Sequence, residues 1–257
     1  MMTRYACALD GIALNSISDA IFITDIAENA PRVRRTTMEY PTRDGLRVLR
    51  ENRQSIGVTV TFEIHEQSVT RRKGICQQVQ SWAQPGGFLT INDRPEQRLR
   101  VRCDTLPLVG SSLRWTQALS IIFTAYLIPY WEDETETVVT LNGNTSQNIN
   151  VPGTAGETRV RATMKNTGTA AITNARITAG DTFMAFDGIQ LPAGGALTIG
   201  YDEPGRLLLR VGETSIYARR TPESSDDLLL ASGQVSAVSV SANGTTQTTV
   251  GARGLYL

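Results

Sequence analysis

From Ile56 to Ile64 the chain alternates strictly: Ile56, Val58, Val60, Phe62 and Ile64 are apolar, while Gly57, Thr59, Thr61 and Glu63 between them are small or polar. Successive side chains of a strand point to opposite sides, so this period of two dictates a half-buried strand with one face to cover. The flanking segments supply covers. Residues 67–84 place Val69, Ile75 with Cys76, Val79 and Trp82 at mostly helical spacing, with Ser68 or Thr70 as N-cap and a stop at Pro85-Gly86-Gly87. They predict one amphipathic helix. Gly74 costs that helix about 1 kcal/mol relative to Ala, so packing rather than propensity must hold it. Short strands are expected at Ile12 to Leu14, Ala20 to Ile26, Phe88 to Ile91 and Leu99 to Cys103, where Cys103 alternates with Leu99 and Val101 and so reads as a buried thiol. The longest strand candidate is Trp115 to Leu127, with Leu119, Ile121, Phe123, Ala125 and Leu127 on its apolar face.

Residues 32–53 read differently. Tyr40-Pro41-Thr42-Arg43-Asp44-Gly45 is a turn with a mechanism, because Pro presets one turn dihedral and Asp-Gly supplies the positive one. The arms of this hairpin are poor in core residues: Val33, Met38, Leu46, Val48 and Leu49 are scattered among Arg34, Arg35, Arg47 and Arg50. A ribbon that cannot bury itself is expected to lie against something else.

Glu132, Asp133, Glu134 and Glu136 mark a change of composition, and a boundary is expected there, giving domains at 1–135 and 136–257. Beyond it the chain is rich in Thr, Gly, Ala and Asn. Turn signals recur at Asn142-Gly143, Asn166-Thr167-Gly168, Asp187-Gly188, Pro192 to Gly195, Glu203-Pro204-Gly205 and Asn243-Gly244. That spacing predicts a second, antiparallel β-sandwich.

Charge excludes some functions. Basic and acidic residues balance at 25 each, so there is no basic footprint for electrostatic capture of DNA or a membrane surface. Only Lys73 and Lys165 are lysines, the other basic residues being arginines. Arginine makes planar multidentate pairs and is enriched where proteins meet, which favours an assembly protein weakly beside the reading of simple codon bias. Cys7, Cys76 and Cys103 are an odd number at wide spacing with no CxxC, which argues against zinc and a disulfide framework. The single histidine, His65, sits at the end of the central strand with no nucleophile in its sequence neighbourhood. The Glu63/Glu66 pair and the acidic run at 132–136 lack the alternating donors of a calcium loop. No phosphate-cradling loop, nucleophile elbow or HExxH motif is present. No catalytic residue, metal site or cofactor is expected, and no run approaches a membrane span.

The order of elements carries more than any single motif. The hairpin with Arg32, Arg43 and Asp44, then Arg53 leading into IGVTVTFEI, a helix ending VQSWAQPGG, the strand pair FLTINDRPEQRLRVRC and the long strand WTQALSIIFTAYLIPYWED together resemble the distal tail protein of long non-contractile-tailed bacteriophages. The FLTINDRP turn and the IIFTAYLIPY exit are the most specific pieces. The second domain, to Arg253-Gly254-Leu255-Tyr256-Leu257, is similar in layout to the galectin-like C-terminal domain of that family.

The resemblance implies a mainly β fold: an N-terminal β-barrel or sandwich-like domain with one helix and an extended β-hairpin arm, plus a C-terminal galectin-like β-sandwich. It implies a structural hub at the distal tip of the virion's tail, made in the host bacterial cytoplasm without an export signal. The hub would be a hexameric ring joining the tail-tube protein to the tail-tip or tail-associated protein, with receptor-binding proteins as further partners in some members. DNA would pass through such a ring without specific binding. The inter-subunit arm would be built from Arg34, Arg35, Tyr40, Pro41, Arg43, Asp44, Gly45, Arg47 and Arg50. The alternative is a carbohydrate-binding adhesion module acting through the second domain, although all three tryptophans, Trp82, Trp115 and Trp131, precede it or stand at its boundary.

Overall fold

The computed structural model describes residues 5–39, 44–108, 118–202 and 205–257. The chain divides into two compact units, Met1–Trp131 with Leu257, and Glu132–Tyr256. The first contains β1 (Cys7–Leu9), β2 (Ile12–Ala13), β3 (Ile21–Asn29), β4 (Val33–Glu39), β5 (Leu46–Arg53), β6 (Ile56–Ile64), α1 (Val69–Ala83), β7 (Gly87–Ile91), β8 (Gln97–Thr105) and β9 (Ala118–Ala125).

Seven of these strands form one antiparallel sheet in the order β2-β1-β7-β8-β9-β6-β3. The alternating run becomes β6, with all five of its apolar residues buried and the four between them half-exposed. Its apolar side chains stand opposite those of β9: Val58 faces Phe123, Val60 faces Ile121 and Phe62 faces Leu119. Such same-face pairs are the units that stabilise a sheet.

Helix α1 covers this apolar face. Ser68 caps it, its hydroxyl accepting from the Arg71 N–H at 3.4 Å, while Glu66 Oε1 accepts from the Ser68 N–H at 3.0 Å. The buried helical positions are Arg72, Cys76, Val79 and Ala83, so the buried stripe is rotated from the expected one and leaves Ile75 at its margin. The reason is that Arg72 can bury its long stem while its Nη1 donates to the Glu66 carbonyl at 3.0 Å. Trp82 meets Phe123 edge-on at 6.0 Å and donates Nε1–H to the Ile12 carbonyl at 2.9 Å.

Two further expectations are corrected. The long strand ends at Ala125 and not at Leu127: Tyr126 and Leu127 are more than half exposed, and the Tyr126 hydroxyl reaches over to Asp104 at 2.8 Å. The start of that prediction, Trp115 to Gln117, lies outside the described residues. Cys103 is half-buried, unlike the buried Cys7 and Cys76, because the β8–β9 register shifts immediately after it, between Cys103 and Thr105.

A three-residue strand, β10 (Trp131–Asp133), follows in the chain. The second unit then comprises β11 (Thr137–Asn142), β12 (Ser146–Val151), β13 (Glu157–Asn166), β14 (Ala175–Ala179), β15 (Thr182–Phe186), β16 (Ala196–Tyr201), β17 (Leu207–Val211), β18 (Thr214–Ser215), β19 (Leu229–Ala231), β20 (Gln234–Ala242), β21 (Thr246–Ala252) and β22 (Leu255–Tyr256). One sheet runs β11-β21-β13-β16-β17-β18 with β19 beside β13, and the other runs β12-β20-β14-β15. Inward residues of both, among them Ile149, Val160, Met164, Ile177, Met184 and Val240, make one core. This is a β-sandwich.

Asn166 shows how its turns are held. Fully buried at the end of β13, it donates Nδ2–H to the carbonyls of Ala170 and Leu191 and accepts from the Gly168 N–H.

Candidate functional site: the hairpin arm and its anchor

β4 and β5 pair only with each other, as a separate two-stranded sheet. All seven residues of β4 and all eight of β5 are exposed, including Val33, Met38, Leu46, Val48 and Leu49. A lone two-stranded ribbon is marginal in water, so this arm has surface to spare and little to hold it.

Its register decides what each face carries. Val33 pairs with Arg53, Arg34 with Asn52, Arg35 with Glu51 and Thr36 with Arg50; the register then shifts, and Thr37 pairs with Val48, Met38 with Arg47 and Glu39 with Leu46. Leu49 is the extra residue of a β-bulge. Residues directly opposite share a face, so one face holds Arg34, Arg47 and Arg50 with Thr36, Met38 and Asn52. The other holds Val33, Thr37, Val48 and Leu46 with Arg35, Glu39, Glu51 and Arg53. Arg35 and Glu51 form an exposed ion pair at 2.8 Å, leaving this second face balanced in charge and the first one cationic. Of the other expected arm residues, Asp44 and Gly45 are in the turn, Gly45 at φ +105°, and Tyr40, Pro41 and Arg43 lie outside the described residues.

At the root of the arm the Gln54 N–H donates to the Arg32 carbonyl at 2.7 Å, closing the loop. Beside it an open cleft of about 840 Å³ is lined by Arg32 and Arg53 from the root, Asn29 and Gly57 from β3 and β6, Thr124 near the end of β9 and Tyr126 just beyond it.

The arm springs from β3, and β3 is clamped by a residue the sequence did not single out. Glu28 accepts from Arg94 Nε at 2.9 and 3.1 Å and from Trp131 Nε1 at 2.9 Å, and the Arg94 guanidinium stands 5.1 Å from the Trp131 ring centre. Arg94 belongs to the FLTINDRP turn and Trp131 follows IIFTAYLIPY directly. The two most specific motifs therefore meet on one carboxylate at the foot of the arm.

No family model matches the sequence, and no curated protein matches it. Among solved structures, the SPP1 Dit (gp 19.1) protein superposes with a TM-score of 0.72 at 13% identity, covering 97% of this chain and 98% of that one. The fold is that of SPP1 Dit. That protein is described as a paradigm of the hub adsorption apparatus in phages infecting Gram-positive bacteria. A chain of the phage p2 baseplate in its activated conformation matches over 97% of both chains with a TM-score of 0.51 at 9% identity.

On this Dit fold the remaining polar clusters have structural occupations. His65 Nε2 lies 2.7 Å from Glu63 Oε2 and its ring packs on Phe22 at 4.4 Å. Glu66 serves the helix cap. Glu136 pairs with Arg161 at 3.2 Å and Arg253 at 3.5 Å, and Arg253 also donates to the Asp133 carbonyl at 2.7 Å. Among the described residues no three of His, Cys, Asp or Glu converge as a metal site. In the second unit, Phe183, Tyr201 and Tyr217 each carry an arginine over the ring: Arg176 at 3.7 Å, Arg159 at 4.8 Å and Arg220 at 5.3 Å. A stacking sugar would have to compete with those guanidinium groups.

Proposed function

We propose that this protein is a structural, non-enzymatic component of a phage tail tip, in which copies close into a ring by laying each arm against the next subunit. The observation that carries the reading is an all-exposed ribbon on a chain that follows the Dit fold over nearly its whole length. A head-to-tail contact of this kind makes each subunit's arm another subunit's cover, and it closes when the rotation per subunit divides a full turn. In this reading the first domain, residues 1–135, builds a hexameric hub between the tail-tube protein and the tail-tip or tail-associated protein. The second, galectin-like domain, residues 136–257, faces outward. Receptor-binding proteins are further candidate partners, and DNA traverses the ring without specific contacts.

The test is electron microscopy of the purified protein together with deletion of residues 34–50. The expected result is a ring with a central hole for the intact chain, and monomers with two intact unfolding transitions for the deletion. Rings formed by the deletion variant would refute the role of the arm. The carbohydrate-binding alternative is tested on the same full chain by a glycan array, where binding that survives the arm deletion would favour it.

A further inference from the structure

The second unit guards one edge of its sandwich and leaves another open. Along the outer side of β15 the segment 221–225 takes the place of a further strand: the Thr221 and Ser225 N–H groups donate to the carbonyls of Ala185 and Phe183, and the hydroxyls of Ser225 and Ser224 accept from the N–H groups of Phe183 and Ala185. β11, the outermost strand of the other sheet, has no such cover among the described residues. The parity of its ladder fixes which groups it turns outward. The Gly143 N–H donates to the Thr246 carbonyl at 2.7 Å, in register with the β11–β21 pairs, and bonded pairs alternate along an antiparallel ladder. Thr137, Val139 and Leu141 therefore spend their backbone groups on β21, while Val138, Thr140 and Asn142 point theirs away from the sheet. The Thr167 N–H, donating to the Thr245 carbonyl, agrees, because it assigns the odd residues of β21 to β13 and leaves the even ones to β11. Among the described residues these outward groups meet only the Thr145 hydroxyl, which donates to the Asn142 carbonyl at 3.3 Å.

Nothing in β11 discourages pairing. It has no charged residue, no proline and no bulge, the devices that usually keep an edge strand single, and Val138 is 53% exposed on its outer face. β12, an edge strand of the other sheet, differs. By the same parity, from the Val240 N–H donating to the Thr145 carbonyl, it turns out Ser146, Asn148 and Asn150, and asparagine is depleted in strands because its side chain serves the local backbone or water instead. We propose that β11 pairs antiparallel with β11 of a second copy of this chain, about a two-fold axis at Thr140. Self-complementarity decides the occupant. A register centred on Thr140 pairs the three outward residues among themselves, Thr140 with Thr140 and Val138 with Asn142, so that each outward N–H faces an outward carbonyl. On the core side it sets Val139 against Leu141, both buried and apolar. On the outer side Thr140 meets Thr140, a favourable cross-strand pair. Two strands of six residues make a contact well short of the roughly 1,000 Å² of a stable interface. Two free chains therefore associate weakly, and the contact counts where many copies are held together. It is isologous, unlike the head-to-tail closure of a ring, and it depends on neither the ring nor the arm.

The experiment is disulfide trapping in the full chain with oxidised glutathione, read by non-reducing electrophoresis and peptide mapping, with the wild type alongside. In a hydrogen-bonded antiparallel pair the Cα atoms stand about 5.5 Å apart, within disulfide reach. Thr140→Cys should therefore give a covalent dimer at about tenfold or more the wild-type yield, bonded through position 140 of both copies. Val138→Cys alone should not, because its two copies lie four rungs apart, roughly 14 Å at about 3.4 Å per residue. Adding Asn142→Cys to it should bring the bond back, now between positions 138 and 142. Thr163→Cys, on the same outer face but in the interior strand β13, controls for random collision and should stay at the wild-type yield. All these positions are exposed, and thermal unfolding checks that each variant folds. A Thr140→Cys yield no higher than that of Thr163→Cys, or equal trapping of Thr140→Cys and Val138→Cys, overturns the pairing. Neither result touches the ring, which microscopy of the wild-type chain reads separately.

Discussion

Substitution of Glu28 by alanine tests whether the foot of the arm is held by one carboxylate. Two interactions end at once. The Arg94 guanidinium loses a two-oxygen partner, and since both side chains are less than a third exposed, at 26% and 29%, the pair keeps most of the worth of a charge-assisted hydrogen bond, about 1.5 kcal/mol. The Nε1–H of Trp131, a fully buried side chain, loses its acceptor, at about 1.5 kcal/mol for an unsatisfied buried donor. The total is about 3 kcal/mol. A unit of this size gains roughly 0.27 kcal/mol per degree in unfolding entropy, so its midpoint should fall by about 11 °C. Glu28→Gln keeps an acceptor for Trp131 and a neutral bond to Arg94, and should lose only about 1 kcal/mol, or about 4 °C. Differential scanning calorimetry of the whole chain resolves the matter: the transition of the first unit should move and that of the second should stay. A Glu28→Ala midpoint within 2 °C of wild type, or equal shifts in both transitions, would refute the clamp.

In the second unit, Asn166→Ala removes three hydrogen bonds from a fully buried site, and the midpoint of that unit alone should drop for a loss of about 3 kcal/mol. On the arm, Leu46→Ser, Val48→Ser and Leu49→Ser together remove side chains that are 60%, 49% and 53% exposed. The melting temperature should hold, but assembly should weaken about 100-fold by light scattering, because roughly half of each side chain's burial, about 1 kcal/mol, is left for a neighbour to supply. Burial pushes the Cys7 thiol from 9.0 up to about 12. Between those values the unfolded chain has given up the proton and the folded one has kept it, so stability is intact below pH 9 and falls as pH rises toward 12, by about 4 kcal/mol at most. Cys7→Ala should flatten that part of an alkaline denaturation profile.

The central strand was legible because one half-buried face imposes a period of two. The helix was legible in extent, from the Ser68 cap to the Pro85 stop, but not in phase: an arginine stem packs as well as an aliphatic one when a carbonyl waits for its head, and Arg72 carries no mark of that. The arm could be read as a ribbon that does not bury itself, yet its faces could not. Arg47 and Arg50 are three residues apart, which in a regular strand puts them on opposite sides; the bulge at Leu49 brings them together. Bulges are set by how the strands settle against each other, and that is not a local property. The Glu28 clamp was hidden for a related reason: its partners are 66 and 103 residues away. Similarly, the turns of the second unit were marked by Asn and Gly, but the pairing of β12 with β20 across most of that unit was not.

A free ribbon with two open edges and exposed Leu and Val side chains is also a hazard, since its unpaired backbone groups invite pairing with any extended chain. The features that argue for docking address that hazard too. Arginines along β5 and a bulge in the middle of it oppose flat, in-register stacking, because stacked copies would align like charges and a kink. The same arginines become favourable only where a partner surface offers carboxylates. Serine or alanine in their place would leave the ribbon sticky and unselective, so replacing Arg34, Arg47 and Arg50 by serine should give concentration-dependent aggregation, with no discrete smaller species. If that variant remains a clean monomer, the arginines act in docking alone, and protection of the edges must come from the bulge.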